Sequence, residues 1–282
     1  MKNNTSSLNK FVVSAYNKVR QSKIPEFSHR NSPKKYTQYQ HCVLLMLKKR
    51  FKSTYRDVVD YLSEMQEVCY IIGLEHVPHY TTVQKFFMRI NESYIYSLIK
   101  IYCCKIIAVD STGFASYSSR YYDRIAGKSK KKRFQKMVLA IDTDRQTILN
   151  CIPAVGYTYD SKYFIPIMKK LKAKYVVADK GFDSANNMLH AIRKRIKPVI
   201  EIRKGVKTGI RLRLKGINKC YRKIYHQRSK AEAVMFVIKR KFGDTVYSRN
   251  YSLLRKEILL NAVCYNTYRE ILLAIIEVFY KD

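Results

Sequence analysis

Glycine and proline are scarce in this chain, at 9 and 6 of 282 residues. Neither a GxGxxG nor a Walker A run occurs, so a glycine-rich nucleotide loop is not expected. The seven cysteines (42, 69, 103, 104, 151, 220, 264) are odd in number and scattered. They include no Cys-x2-Cys pair, and the adjacent Cys103-Cys104 has no zinc-like companions. They read as reduced, mostly buried thiols of a cytoplasmic protein. No stretch of 18 apolar residues exists, so no membrane span is expected. The opening MKNNTSSLNKFVVSAYNK lacks the apolar run of a secretory signal. Acidic residues are few as well. The 21 Asp+Glu stand against 55 Lys+Arg, a formal charge of +34. With 47% apolar and 13% aromatic residues, this is a foldable basic protein and not a disordered tail. Such a charge calls for a polyanionic partner: DNA or RNA first, an anionic membrane surface second.

The hydrophobic pattern changes near residue 100. Residues 1–36 are polar and basic and suggest a short helix followed by a linker. Val43, Leu44, Leu47 and Phe51 recur at helical spacing. A second helix capped by Ser53 or Thr54 carries Val58, Val59 and Leu62, and a third capped by Thr81 or Thr82 carries Val83, Phe86, Phe87 and Ile90. Three short helices with a basic surface suit a helix-turn-helix-like DNA-binding unit over 37–100; Thr82, Gln84 and Lys85 are candidates for base contacts. From 101 to 282 the pattern predicts strands at Ile106–Asp110, 137–141, 147–152, 175–178 and 198–202. Helices are predicted over 161–171, 184–196, 225–242 and 253–279, the last broken once. That order predicts an α/β class: a mixed sheet with helices on its faces. Asp142 and Asp144 read as turn residues, and Asp183 as the cap of the next helix.

In so basic a chain, a carboxylate at the end of an apolar run stands out. Asp110 ends IIAVD and Asp179 ends YVVAD, the strand ends where α/β sheets place their sites. Glu232 lies mid-helix between Ala231 and Ala233, small flanks that leave room for a ligand. Three gathered carboxylates repel one another, by about 4 kcal/mol for two charges 4 Å apart at an effective dielectric near 20. A divalent cation removes that cost, and oxygen-only donors select Mg2+ or Mn2+.

Tyr225-His-Gln-Arg228-Ser-Lys-Ala-Glu232 continuing to Lys239 fits the pattern Tyr-x2-Arg-x3-Glu-x6-Lys. VDSTGF at 109–114 and ADKGFDS at 178–184 precede it in the expected order and spacing. These segments resemble the DDE (Asp-Asp-Glu) transposases of bacterial and archaeal insertion sequences. YRDVVDYL at 55–62 and VPHYTTVQKF at 77–86 resemble the family's N-terminal DNA-binding region. The resemblance covers about residues 37–275. It implies an RNase H-like catalytic core with Asp110, Asp179 and Glu232 as a catalytic triad binding two Mg2+ or Mn2+ ions. Tyr225, Arg228 and Lys239 are implied near the DNA, on what reads as one helical face.

Lys130, Lys131, Lys132 and Arg133, in the basic run 128–136, and Lys180 add to the expected DNA surface. The resemblance implies a transposase that binds inverted-repeat ends, cleaves at the element end and joins the freed 3′-OH to target DNA. The expected partners are double-stranded DNA and a second copy of the chain, with no membrane; the expected setting is a prokaryotic nucleoid. The alternatives are a related nuclease that cuts without joining and a non-catalytic DNA-binding regulator. Two departures stand out. The stretch between Asp179 and Glu232 is too short for the large β-rich insertion of some relatives. The chain also has no Trp, the residue relatives can use to hold a flipped base.

Overall fold

A computed structural model describes residues 6–31, 33–117, 134–205, 209 and 221–279. Two compact units emerge. The first comprises 1–98, 241–243 and 259–282, and the second 99–240 and 244–258.

The first unit is helical. It contains α1 (Ser7–Arg20), α2 (Gln38–Phe51), α3 (Tyr55–Glu64), α4 (Gln66–Ile71), α5 (Tyr80–Arg89) and α6 (Glu92–Ser97). Capping boxes start two of them. Thr37 and Gln40 close the front of α2, and Thr54 and Asp57 that of α3. Helix α2 is buried nearly all round, from Cys42 through Leu47, as a central helix must be. His41 on α2 stacks on Phe86 of α5 with ring centroids 4.8 Å apart. Its Nδ1 lies 3.0 Å from the Thr37 carbonyl. Burial holds His41 below its ordinary pKa, and the charge of Arg89 pushes the same way. The cap of α5 is His79, not Thr81 or Thr82. Pro78 keeps the residue before it extended, and the helix begins as soon as the chain is free of that restraint.

The second unit contains the sheet: β1 (Cys104–Ser116), β2 (Phe134–Asp142), β3 (Ile148–Val155), β4 (Ala173–Ala178), β5 (Lys197–Ile200) and β6 (Thr245–Val246). The order is β3-β2-β1-β4-β5, with β6 pairing the far end of β1. The first three strands form an antiparallel meander, while β4, β5 and β6 run parallel to their neighbours. Helices α7 (Ser161–Met168) and α8 (Ala185–Arg193) cover one face. There Phe164, Ile167, Met168, Met188 and Ala191 pack on Ile107, Val109, Val138, Ala140 and Ala178. Each such buried aliphatic or aromatic side chain contributes about 1.5–3 kcal/mol relative to exposure. A short helix α9 (Arg222–Tyr225), a 3-10 turn (His226–Arg228) and α10 (Ser229–Phe242) follow, and α9 with its turn lies against β1, β4 and β5. This is the mixed-sheet, RNase H-like α/β architecture expected, after an N-terminal helical region.

Three expectations need correction. The first strand does not stop at Asp110; it runs on to Ser116, because β2 and then β6 supply backbone partners to its polar residues. The segment 225–242 is not one helix, since the 3-10 turn at 226–228 shifts its phase. The final helix α11 (Tyr251–Phe279) is unbroken, there being no Pro or Gly within it to break it. Residues 251–258 of α11 group with the sheet, and 259–279 with the N-terminal helices. There the thiol of Cys264 lies 3.8 Å from the Met46 carbonyl, and Lys18 pairs with Glu270 at 2.7 Å. Among the described residues, no helix is long and apolar enough to cross a membrane.

Candidate active site

In the parallel part of the sheet, Val109 pairs with Ala178, and Ala178 with Ile200. The next residues along these three strands are Asp110, Asp179 and Glu201. Val109 and Ala178 point into the core beneath α7 and α8. Side chains alternate along a strand, so Asp110 and Asp179 belong to the opposite face, where α9 and its turn lie.

Asp110 is enclosed, with 16% of its side chain exposed. Burial is the main reason its pKa is pushed up to about 6. The Ser111 amide, 2.8 Å from Oδ1, and the Arg228 charge pull it back, while Asp179 and Glu232 push it higher. All three carboxylates of the expected triad therefore feel one another's field at Asp110. Glu232, in the first turn of α10, is 55% exposed. One nitrogen of Arg228, Nη1, stands 2.8 Å from Glu232 Oε1 and 3.3 Å from Asp110 Oδ2. The two acids together raise the pKa of the guanidinium against its own desolvation.

Arg228 bears on whether a metal fits. Among the described residues, no group of three or more His, Cys, Asp and Glu is gathered to hold a metal ion. A cation nevertheless occupies the space between Asp110 and Glu232, and it is the guanidinium. The donors are hard carboxylate oxygens, the type that suits Mg2+ or Mn2+. In donor chemistry these oxygens fit such an ion, and the space between Asp110 and Glu232 is held by Arg228.

The other expected residues are placed as follows. Tyr225 donates its hydroxyl to Glu201 at 3.0 Å and lies within the electrostatic reach of Asp179 and Arg228. Burial, then that carboxylate, pushes its pKa up to about 12. Lys239 is half-buried on α10, its ammonium 5.8 Å from the centroid of the Phe114 ring on β1. Lys180 is exposed beside Asp179. Lys130, Lys131, Lys132 and Arg133 lie outside the described residues. Lys136, the end of that basic run, turns inward: it is 13% exposed and pairs with Asp160 at 2.8 Å. Asp142 accepts from Tyr102 at 3.0 Å and from the Asp144 amide at 2.9 Å, as a turn residue should.

Sequence reasoning missed Arg203, Glu201 and Asp160. Arg203 closes over the turn after Asp179. Its Nε donates to the Lys180 carbonyl at 2.8 Å and its Nη2 to the Gly181 carbonyl at 2.9 Å. Its own amide donates to Asp183 at 3.0 Å. Asp183 therefore holds this clamp, while Ser184 takes the cap position of α8. The Glu201 position was legible as the end of the apolar run KPVI. The contacts of Arg203 and Asp160 are long-range and left no local pattern.

Asp110 on β1, Asp179 just past the end of β4 and Glu232 in the first turn of α10 thus stand around one mixed sheet. Comparison with known proteins gives the family. The model of the transposase DDE domain matches residues 103–267. The chain belongs to that family. An uncharacterized protein of Aquifex aeolicus (strain VF5) is 21% identical over 269 residues, 86% of this chain and 80% of that one. A solved structure of piggyBac transposase, a synaptic complex with hairpin DNA, aligns with 96% of this chain and 74% of that one. Its TM-score is 0.50 at 11% identity, a likeness of fold.

Proposed function

We propose that the protein is a DNA transposase that binds the inverted-repeat ends of an insertion sequence and catalyses metal-dependent cleavage and strand transfer. The observation that carries this reading is the bridging of Asp110 and Glu232 by one nitrogen of Arg228, with Asp179 just past the end of the neighbouring strand, in a family of DDE transposases. Asp110, Asp179 and Glu232 are the metal ligands of this reading. When bound, two Mg2+ or Mn2+ ions supply Lewis acidity at the attacking and leaving oxygens of an in-line displacement.

This chain's own residues do the rest. Arg228 leaves the carboxylates for a DNA phosphate, which its planar fork grips in two-point fashion. Lys239 and Lys180 add point charges along the backbone, and Tyr225 contributes a hydroxyl held in place by Glu201. No tyrosine serves as a nucleophile, because the displacement needs no covalent protein–DNA link. The basic helical region 37–100 binds duplex DNA. Two element ends must be held together, so the working form is a homo-oligomer, a dimer at the least, on DNA.

The Arg228 bridge also favours a second reading. A site already neutralised by an arginine suits a protein that occupies DNA ends without cutting them. One experiment decides. The purified protein is incubated with Mg2+ or Mn2+ and a labelled duplex from the DNA flanking its gene, with Glu232→Gln as control. The transposase reading expects metal-dependent 3′-OH ends and joined products that vanish in the variant. Cutting without joining makes it a nuclease. Salt-sensitive binding with no cutting in either metal makes it a regulator.

A further inference from the structure

Asp160 immediately precedes α7, at the position where an aspartate normally accepts amide hydrogens of the first turn. It makes no such cap bond. Its Oδ1 instead accepts from the Ser111 hydroxyl at 2.9 Å and from the Lys136 ammonium at 2.8 Å. Lys136 also donates to the Thr158 carbonyl at 2.9 Å, which fixes it in turn. The other oxygen faces the turn after Asp179, where a Cβ on Gly181 would stand 3.2 Å from Oδ2. Asn187 ties the same two segments, donating to the Ser161 carbonyl at 3.0 Å and the Phe182 carbonyl at 2.9 Å. Ser111 is the residue whose amide holds Asp110 Oδ1 at 2.8 Å.

One carboxylate thus accepts from the residue after Asp110 and leaves little room for a side chain at the residue two past Asp179, with its charge balanced by Lys136. We propose that Asp160 is a positioning residue: it sets the separation of Asp110 and Asp179. It does so through Ser111 on one side and close packing against Gly181 on the other, and is not itself a metal ligand. The proposal rests on the reading of Asp110 and Asp179 as a metal-binding pair. Partners behind metal ligands commonly change affinity by about 10–100-fold when removed.

The test is Mn2+ binding to the full-length, DNA-free protein at pH 8, followed by electron paramagnetic resonance, with circular dichroism confirming the fold of each variant. Asp110→Asn defines the site and is expected to lose the Mn2+ that the wild type binds. Asp160→Ala is expected to weaken binding about tenfold or more. Asp160→Asn keeps an acceptor for Ser111 and the bulk against Gly181, and is expected to lose only a few-fold. Ser111→Ala is expected to weaken binding as well, but to add nothing once Asp160 is Ala. Suppose Asp110→Asn loses Mn2+ while Asp160→Ala, folded or merely less heat-stable, binds as the wild type does. Asp160 is then structural and the proposal is overturned. Additive losses from Ser111→Ala and Asp160→Ala overturn the route through Ser111. A wild type that binds no Mn2+, or an Asp110→Asn protein that binds it equally well, refutes the metal-pair reading and the proposal with it.

Discussion

Replacing Arg228 with Met keeps most of the side chain's length and removes its charge, and the DNA-free protein is expected to bind Mn2+ more tightly. At the observed 2.8 and 3.3 Å, the gross guanidinium–carboxylate attractions are about 6 and about 5 kcal/mol at an effective dielectric near 20. Little of the Glu232 arm survives, because that carboxylate is 55% exposed and such pairs net about 0.2–1 kcal/mol. The Asp110 arm counts for more, since only 16% of that side chain is exposed, and a charge-assisted hydrogen bond there nets about 1.5–3 kcal/mol. A metal ion taking the same oxygens must displace that contact. Its removal should therefore lower the Mn2+ dissociation constant by about 10–100-fold. The titration belongs at pH 8. Asp110 is already pushed up to about 6 with Arg228 helping to hold it down, and losing the cation lets protons compete near neutrality. Calorimetric or paramagnetic titration reads the constant directly. For DNA, the same variant should bind more weakly, with a salt dependence shallower by about one phosphate contact. An Arg228→Met protein whose Mn2+ affinity is unchanged or weaker at pH 8 would refute the idea that the guanidinium stands where a metal goes.

Other expectations are as direct. Gly156→Ala would drive a Cβ into the Phe134 carbonyl, a backbone atom of β2 that cannot swing away; a loss of about 1–3 kcal/mol is expected in thermal or urea unfolding. His41 is held below its ordinary pKa in the fold, so its contribution is complete above the unfolded value near 6.5 and declines as the pH falls below it, when the unfolded chain takes up a proton that the fold rejects. Unfolding measured at pH 7.5 and pH 5 should show a smaller decline in His41→Phe than in the wild type. If Glu201 acts through the Tyr225 hydroxyl, cleavage by the Glu201→Gln, Tyr225→Phe double variant should be no slower than by Tyr225→Phe alone; fully additive losses would separate the two residues.

Local chemistry made much of this fold legible. Ser53 or Thr54 announced the start of a helix, and Thr54 is the cap because Asp57, three residues on, returns its hydrogen bond. YVVAD announced β4 and its terminal carboxylate because a strand buried on both faces must be apolar until it ends. What failed did so where partners were remote. Ser111 and Gly113 are poor strand formers, yet they extend β1 because Val138 and Lys136 pair with them. Lys136 looked like one more cation of a DNA-facing run until Asp160, distant in sequence, claimed it. Tyr225 and Glu232 share a motif but not a helical phase, because the 3-10 turn between them leaves no mark in hydrophobic spacing. The positions of the three acids at run ends and on a helix could be read one residue at a time; the placing of Arg228 against both Asp110 and Glu232 could not.

The long helix α11 has a consequence for how the molecule is made. The helical unit buries residues 259–267, and its contacts join Met46 to Cys264 and Lys18 to Glu270, separations of 218 and 252 residues. At roughly 5–20 residues per second of synthesis, Lys18 waits about 10–50 s for its partner. The sheet unit, whose strands close within 99–258, has its own parts in hand sooner. The segment translated first is thus the one completed last, with an apolar seam open while the ribosome works. A fragment cut at residue 98 would keep that seam open permanently.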